Sequence, residues 1–115
     1  MSTDRTNSSD FSYKDTQNPL VSIVIPAYNE AQYLTRALQS IRNQDFQNFE
    51  LIVVNNNSTD KTVEIAESFG AKVIFEPQRG VGFARQAGFL EANGKIIATT
   101  DADTILPPNW LSRFV

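Results

Sequence analysis

Cysteine and histidine are both missing from this chain of 115 residues. Without cysteine there are no disulfides and no thiolate metal sites, and the redox compartment is left open. Without histidine, any metal must be held by oxygen, and any general base must be a carboxylate or something less common. No apolar run approaches the roughly 20 residues that a membrane span requires. The N-terminus lacks the charged-then-apolar pattern of a secretory signal. A basic block is lacking too: 10 Lys and Arg face 13 Asp and Glu, for a net charge of −3. That balance argues against nucleic acid as a partner, because phosphate neutralisation needs clustered cations. The expectation is a soluble, cytoplasmic chain whose chemistry is done by oxygen.

Apolar content of 41% and charged content of 20% fit an ordinary globular domain, and the length allows one domain at most. Residues 1–18 are polar with charges of both signs, and are expected to form a disordered leader. The domain is expected over residues 19–115. Val21 to Ile25 (V-S-I-V-I) reads as a strand covered on both faces, ended by Pro26. Asn29 or Glu30 opens a helix with Leu34, Ala37, Leu38 and Ile41 at i, i+3, i+4, i+7. Phe49 to Val54 is a second buried strand. Ser58 is the expected N-cap of the next helix, with Asp60 at its positive end. That helix carries Val63, Ala66 and Phe69 inward and stops at Gly70. Lys72 to Glu76 is a third strand. A helix with Phe83, Ala87 and Leu90 on its inner face follows, closed by Gly94. Lys95 to Thr100 is the fourth strand. The alternation predicts an α/β fold with a mainly parallel sheet and right-handed crossovers. From Asn109 a further helix is expected to begin. Its Trp110, Leu111 and Phe114 need cover, so the chain reads as truncated and able to self-associate or meet a partner chain there.

The polar clusters sit where strands end: Pro26 to Glu30, Asn55 to Asp60, Arg79 to Arg85, Asp101 to Asp103. In a parallel sheet those ends share one edge, where ligands bind in open α/β folds. The last cluster, T-T-D-A-D-T, follows an apolar run and precedes Pro107 and Pro108. Extended chain would put Asp101 and Asp103 on one side, giving a hard, oxygen-rich site suited to Mg²⁺ or Mn²⁺. Taken alone, D-x-D also reads as a solvated turn, because Asp is a common loop residue. Arg79 and Arg85 read singly as surface charges. Gly80-Val-Gly82 is not a dinucleotide fingerprint, since the third glycine would fall at Arg85 and the loop follows the third strand.

Four blocks carry a resemblance: V-S-I-V-I-P-A-Y-N-E, E-L-I-V-V-N-N-N-S-T-D-K-T, R-G-V-G-F-A-R-Q-A-G and T-T-D-A-D-T-I-L-P-P-N-W-L. In order and spacing they resemble the N-terminal half of family 2 glycosyltransferases, over Leu20 to Val115. The resemblance implies a GT-A fold, a nucleotide-diphosphate sugar donor, a divalent metal (Mn²⁺ or Mg²⁺) and transfer with inversion at the anomeric carbon. By position, Pro26, Ala27 and Tyr28 would line the base and ribose pocket, with Glu30 at its edge. Asn55 and Asn56 fall where the family has acids that contact the base. Arg85 matches an arginine near the donor. Asp101, with Ala102 beside it, would face the ribose or sugar. Asp103, with Asp101, would hold the metal.

Two departures follow from the same comparison. Asn55-Asn56 replaces an acidic opening, which leaves uridine, guanine and thymine donors all open. The family's general base and acceptor site lie in a C-terminal half beyond these residues, so no catalytic base is expected within this chain, and the acceptor (glycan, lipid or small molecule) is undetermined. A non-catalytic nucleotide-binding module working with a partner chain is the second reading. A sugar-nucleotide nucleotidyltransferase is the third, although Pro26 to Glu30 is not the glycine-rich, basic loop it would want.

Overall fold

The computed structural model describes residues 18–115. The leader expected over residues 1–18 lies, but for Asn18, outside the described residues. Four apolar runs form four parallel strands: β1 (Val21–Ala27), β2 (Phe49–Asn55), β3 (Lys72–Phe75) and β4 (Ile96–Thr99), in the order β3-β2-β1-β4. Three helices alternate with them: α1 (Ala31–Arg42), α2 (Thr62–Ser68) and α3 (Val81–Glu91).

Alternation along β1 explains why its sequence is apolar but for Ser22. Val21, Ile23, Ile25 and Ala27 pack with Leu34, Leu38 and Ile41 of α1 and Ala66 of α2. Val24 points the other way, into a smaller cluster with Ile52, Val54 and Ala84 of α3. Both faces are covered, so polar residues do not alternate with apolar ones along the strand. The expected inner face of α1 is buried as the periodicity requires.

Helix α3 departs from expectation. Its buried residues are Ala84 and Gly88, while Phe83 and Leu90 are 48% and 78% exposed. The reason is close approach: a Cβ on Gly88 would lie 2.3 Å from Val24 Cγ1 and 3.1 Å from Val54 Cγ2. The small residues let the helix sit directly on β1 and β2, which turns its large apolar side chains outward. Nor does Gly94 close this helix; α3 ends at Glu91. In α2, Ala66 and the following Phe69 are buried but Val63 is only half-buried. Gly70 does take the left-handed conformation expected after that helix, with φ of 79°.

At the opposite end of the sheet from the polar clusters, Glu50 is 3% exposed. Its carboxylate accepts the Ser22 hydroxyl and the Asn93 backbone N–H, the latter at 2.6 Å. Ser22 Oγ in turn accepts the Gly94 N–H at 2.7 Å. A buried charge is tolerated only where hydrogen bonds replace its water, and here they also fasten the α3–β4 turn to the central strand.

After β4 the chain makes consecutive turns over residues 108–114 rather than the expected helix. Leu111 is fully buried, Trp110 is half-buried against the core, and Phe114 is exposed, meeting Trp110 edge-on at 5.2 Å. Among the described residues no helix is long and apolar enough to cross a membrane.

Candidate functional site

The chain runs β1, β2, β3 outward and then returns, placing β4 on the other side of β1. Such a switch point opens a crevice at the carboxyl ends of the two strands. Pro26 widens it. Contrary to expectation it does not end β1, which pairs with β2 as far as Ala27↔Asn55. It ends the pairing with β4 instead. Thr100 N–H reaches Val24 O at 3.3 Å, and the next rung would need the N–H that proline lacks. The chain is released there, and Asp101 to Asp103 form a turn, with Thr104 N–H on Asp101 O at 3.3 Å. The two aspartates are therefore brought together by a turn, not by the extended chain that the spacing suggested. Ala102 between them is 2% exposed and belongs to the core, so it pins the turn while both carboxylates face outward.

The far side of this turn is tied to the last turn of α1 and to Gln44 just beyond it. Ser40 Oγ accepts Leu106 N–H at 3.0 Å, and Gln44 donates to Pro107 O at 2.7 Å and accepts Leu111 N–H at 2.9 Å. Gln44 is buried and both ends of its amide are satisfied, a specific arrangement that an apolar residue could not supply.

The first two polar clusters interlock. Asn29, at φ of 50°, accepts Thr59 N–H at 2.7 Å through Oδ1. Its own N–H goes to Ser58 Oγ at 3.0 Å, Glu30 N–H to Thr62 Oγ1 at 2.9 Å, and Ala31 N–H to Asp60 Oδ2 at 3.1 Å. Ser58 thus does not cap α2, whose preceding residue Lys61 makes no side-chain cap. Together Ser58, Asp60 and Thr62 satisfy orphan donors at the start of α1, a cap supplied across space. Asp60 also accepts from Thr62, and that hydroxyl contact holds its carboxyl below the usual range.

Asn56, 4% exposed, ties in the third cluster. Its Nδ2 donates to Glu76 O at 2.9 Å and Gln78 O at 2.8 Å, and its Oδ1 accepts Gly80 N–H at 2.9 Å. Gly80 has φ of 138°, which only glycine adopts without strain. The loop so held lays the Arg79 guanidinium over the Tyr28 ring, 3.4 Å from its centroid.

Between these loops lies a cavity of about 340 Å³, lined by Pro26, Ala27, Tyr28, Glu30, Asn56, Arg79, Gly80, Val81, Asp101, Ala102 and Asp103. Eight of the sequence-derived candidates are among them. Asn55 and Arg85 are not. Asn55 Oδ1 accepts Ser58 N–H at 2.8 Å, and Arg85 stands behind the cavity with Nη2 3.8 Å from Asp101 Oδ1. Arg79, Gly80 and Val81 were missed as site residues. The only sequence signal for them was their place after a strand end, which does not separate a cavity arginine from a solvated one.

Glu30 carries the electrostatic signature of the site. Burial raises its carboxyl above the usual 4.5, and the charges of Asp103, Asp101 and Asp60 raise it further. The folded state therefore holds this proton more tightly than the unfolded chain does. Its contribution to stability is full below pH 4.5 and is lost as pH rises through the raised value. Glu30→Gln is expected to raise the unfolding midpoint at pH 7 and to flatten the loss of stability between pH 4.5 and neutrality. A variant that follows the parent's pH profile would contradict this.

Among the described residues no three His, Cys, Asp or Glu side chains come close enough to hold a metal ion by themselves. The donor set still fits a hard divalent cation that takes its remaining ligands from a bound diphosphate. The chemistry of the lining favours it, since among the described residues three carboxylates, Glu30, Asp101 and Asp103, face the cavity against one cation, Arg79.

Residues 22–115 match the family model described as glycosyl transferase family 2. An uncharacterized glycosyltransferase of Rickettsia typhi is 39% identical over 102 residues, covering 87% of this chain and 32% of its own length. The crystal structure of S. aureus TarS 1-349 in complex with UDP-GlcNAc superposes with a TM-score of 0.76 at 30% identity, over 82% of this chain and 29% of that one. The mannosyltransferase PcManGT from Pyrobaculum calidifontis, in complex with GDP-Man and Mn²⁺, gives 0.71 at 30% identity, over 80% and 30%. This chain spans about a third of the length of each of these relatives. Its four-stranded parallel sheet with alternating helices matches theirs as the GT-A fold. The motifs, the fold and the family match agree, and the chain belongs to glycosyl transferase family 2.

Proposed function

We propose that this chain provides the donor site of a cytoplasmic enzyme that transfers a sugar from a nucleotide diphosphate to a glycan, lipid or small-molecule acceptor with inversion. The observation that carries the reading is the convergence of Glu30, Asp101 and Asp103 on one crevice beside Tyr28 and Arg79. Pro26, Ala27 and Tyr28 form the apolar wall for base and ribose, with Asn56 at the base end, Asn55 beside it but outside the lining, and Glu30 at the rim. Asp101, steered by Arg85, faces the ribose or sugar. Asp103, with Asp101 beside it, would hold Mn²⁺ or Mg²⁺ against the diphosphate. When bound, the cation offsets the charge that develops on the departing diphosphate. The buried Ala102 keeps both carboxylates in place during that step. The general base that deprotonates the acceptor is assigned to none of these residues and comes from elsewhere in the full-length enzyme.

Titration calorimetry with UDP, GDP and dTDP, each with Mn²⁺, with Mg²⁺ and with chelator, tests the reading. Binding that requires the cation and prefers one base is expected. Binding that persists in chelator, or none with any of the three, would refute it.

A further inference from the structure

Three carboxylates and a single cation, Arg79, are the charged groups among the described residues lining the cavity. An anionic ligand there meets net negative charge, so the placement of that cation matters. Arg79 itself is exposed and sits in an irregular loop; a free arginine would sample many rotamers. Two things hold it. Its guanidinium lies flat on Tyr28, 3.4 Å from the ring centroid, and the backbone on either side is fixed by Asn56 through Gln78 O at 2.8 Å and Gly80 N–H at 2.9 Å. Both amide hydrogens and the carbonyl oxygen of Asn56 are engaged with this loop. That leaves no donor on Asn56 with which to read a base.

We propose that Arg79 is the residue that meets the nucleotide at this end of the cavity, and that Asn56 is a positioning residue acting on the donor through Arg79. The inference rests on the donor-site reading above. The asparagine is specific to the task. An aspartate would still accept Gly80 N–H but would set a carboxylate against the carbonyls of Glu76 and Gln78, giving up two of the three hydrogen bonds that hold the loop. Tyr28 supplies the flat, electron-rich face on which a planar guanidinium rests.

The test has a ligand-free arm and a binding arm. In proton NMR of the whole chain, the Arg79 side-chain signals lie upfield, shifted by the Tyr28 ring, and move to ordinary positions in Y28L. The same displacement is expected in N56D. Arg79 signals that stay upfield in N56D would overturn the positioning role. In the binding arm, with Mn²⁺ and whichever of UDP, GDP or dTDP binds best, N56D and R79A should each weaken affinity about tenfold. The double variant should bind no worse than R79A. Multiplying losses, or an R79A chain that binds like the parent, would overturn the coupling. Where N56D does not fold, N56S, which exchanges the whole amide for a shorter hydroxyl, serves in its place; R79A and Y28L alter exposed side chains. A parent chain that binds none of the three nucleotides refutes the donor-site reading and with it the nucleotide contact, while the ring-current arm still decides whether Asn56 holds Arg79.

Discussion

Asp103→Asn is expected to lower the affinity for a nucleoside diphosphate in Mn²⁺ by about 100-fold while leaving the unfolding midpoint where it was. Outer-shell partners of metal sites typically cost about 10–100-fold when replaced, so loss of the charged ligand proposed at Asp103 belongs at the upper end of that range. The side chain is exposed and its neighbour Ala102 carries the packing, so stability should change by no more than about 0.5 kcal/mol. Loss of its charge also relieves Glu30, whose carboxyl it helps to raise. Asp101→Asn makes the comparison informative. That residue faces Arg85 at 3.8 Å, so binding should weaken with less change in metal dependence. Calorimetric titrations across a Mn²⁺ series separate the two. An Asp103→Asn chain that binds as tightly as the parent, and with the same cation requirement, would return the D-x-D turn to a solvated loop.

The largest effect on stability is expected away from the cavity, at Gly94. A Cβ there would lie 2.6 Å from Ser22 N, 2.7 Å from Val21 C and 2.8 Å from Ser22 Oγ. Two of these atoms are backbone of the central strand, which pairs on both sides and cannot step aside. Relief must come from moving the α3–β4 turn, and that turn donates Gly94 N–H to Ser22 and Asn93 N–H to the buried Glu50. Gly94→Ala should therefore lose about 2–4 kcal/mol, combining overpacking with an unsatisfied buried carboxylate. Gly82→Ala is the counterpart. Nothing lies within 4 Å of a Cβ there, and alanine in a helix gains roughly 0.5–1 kcal/mol over glycine. Urea unfolding of the two variants should move the midpoint in opposite directions. Equal midpoints would mean the turn does not rest on β1 as described.

How far the chain could be read in advance depended on the range of the forces involved. Strands β1 and β2 and the buried stripe of α1 were legible because burial on a known period writes itself into local sequence. Lys72 to Glu76 and Lys95 to Thr100 were each long by a residue or two, since strand ends are set by pairing. Pro26 shows the limit well: its effect was placed on its own strand but falls on β4, because the missing N–H belongs to a rung between the two. The inner face of α3 was misassigned for a related reason. Size argued for Phe83 and Leu90, whereas the close approach of Gly88 to Val24 is a fact about two distant segments. Eight of the ten proposed site residues line one cavity, because each lay next to a strand end. Arg79 was read as a surface charge, since its place is fixed by Asn56 and Tyr28, more than 20 residues away in sequence.

Asn93-Gly94 is the chain's one Asn-Gly pair, the dipeptide in which spontaneous deamidation runs fastest. That reaction requires the glycine nitrogen to swing onto the asparagine side-chain carbonyl and close a succinimide ring. Here the glycine N–H is held by Ser22 Oγ at 2.7 Å, and the asparagine amide points at Glu50 Oε1, 3.4 Å away. The contact that leaves no room for a methyl group thus also withholds the nucleophile. Chemical ageing at this pair belongs to chains that have opened locally, and the folded protein is sheltered from it by its own bottom turn.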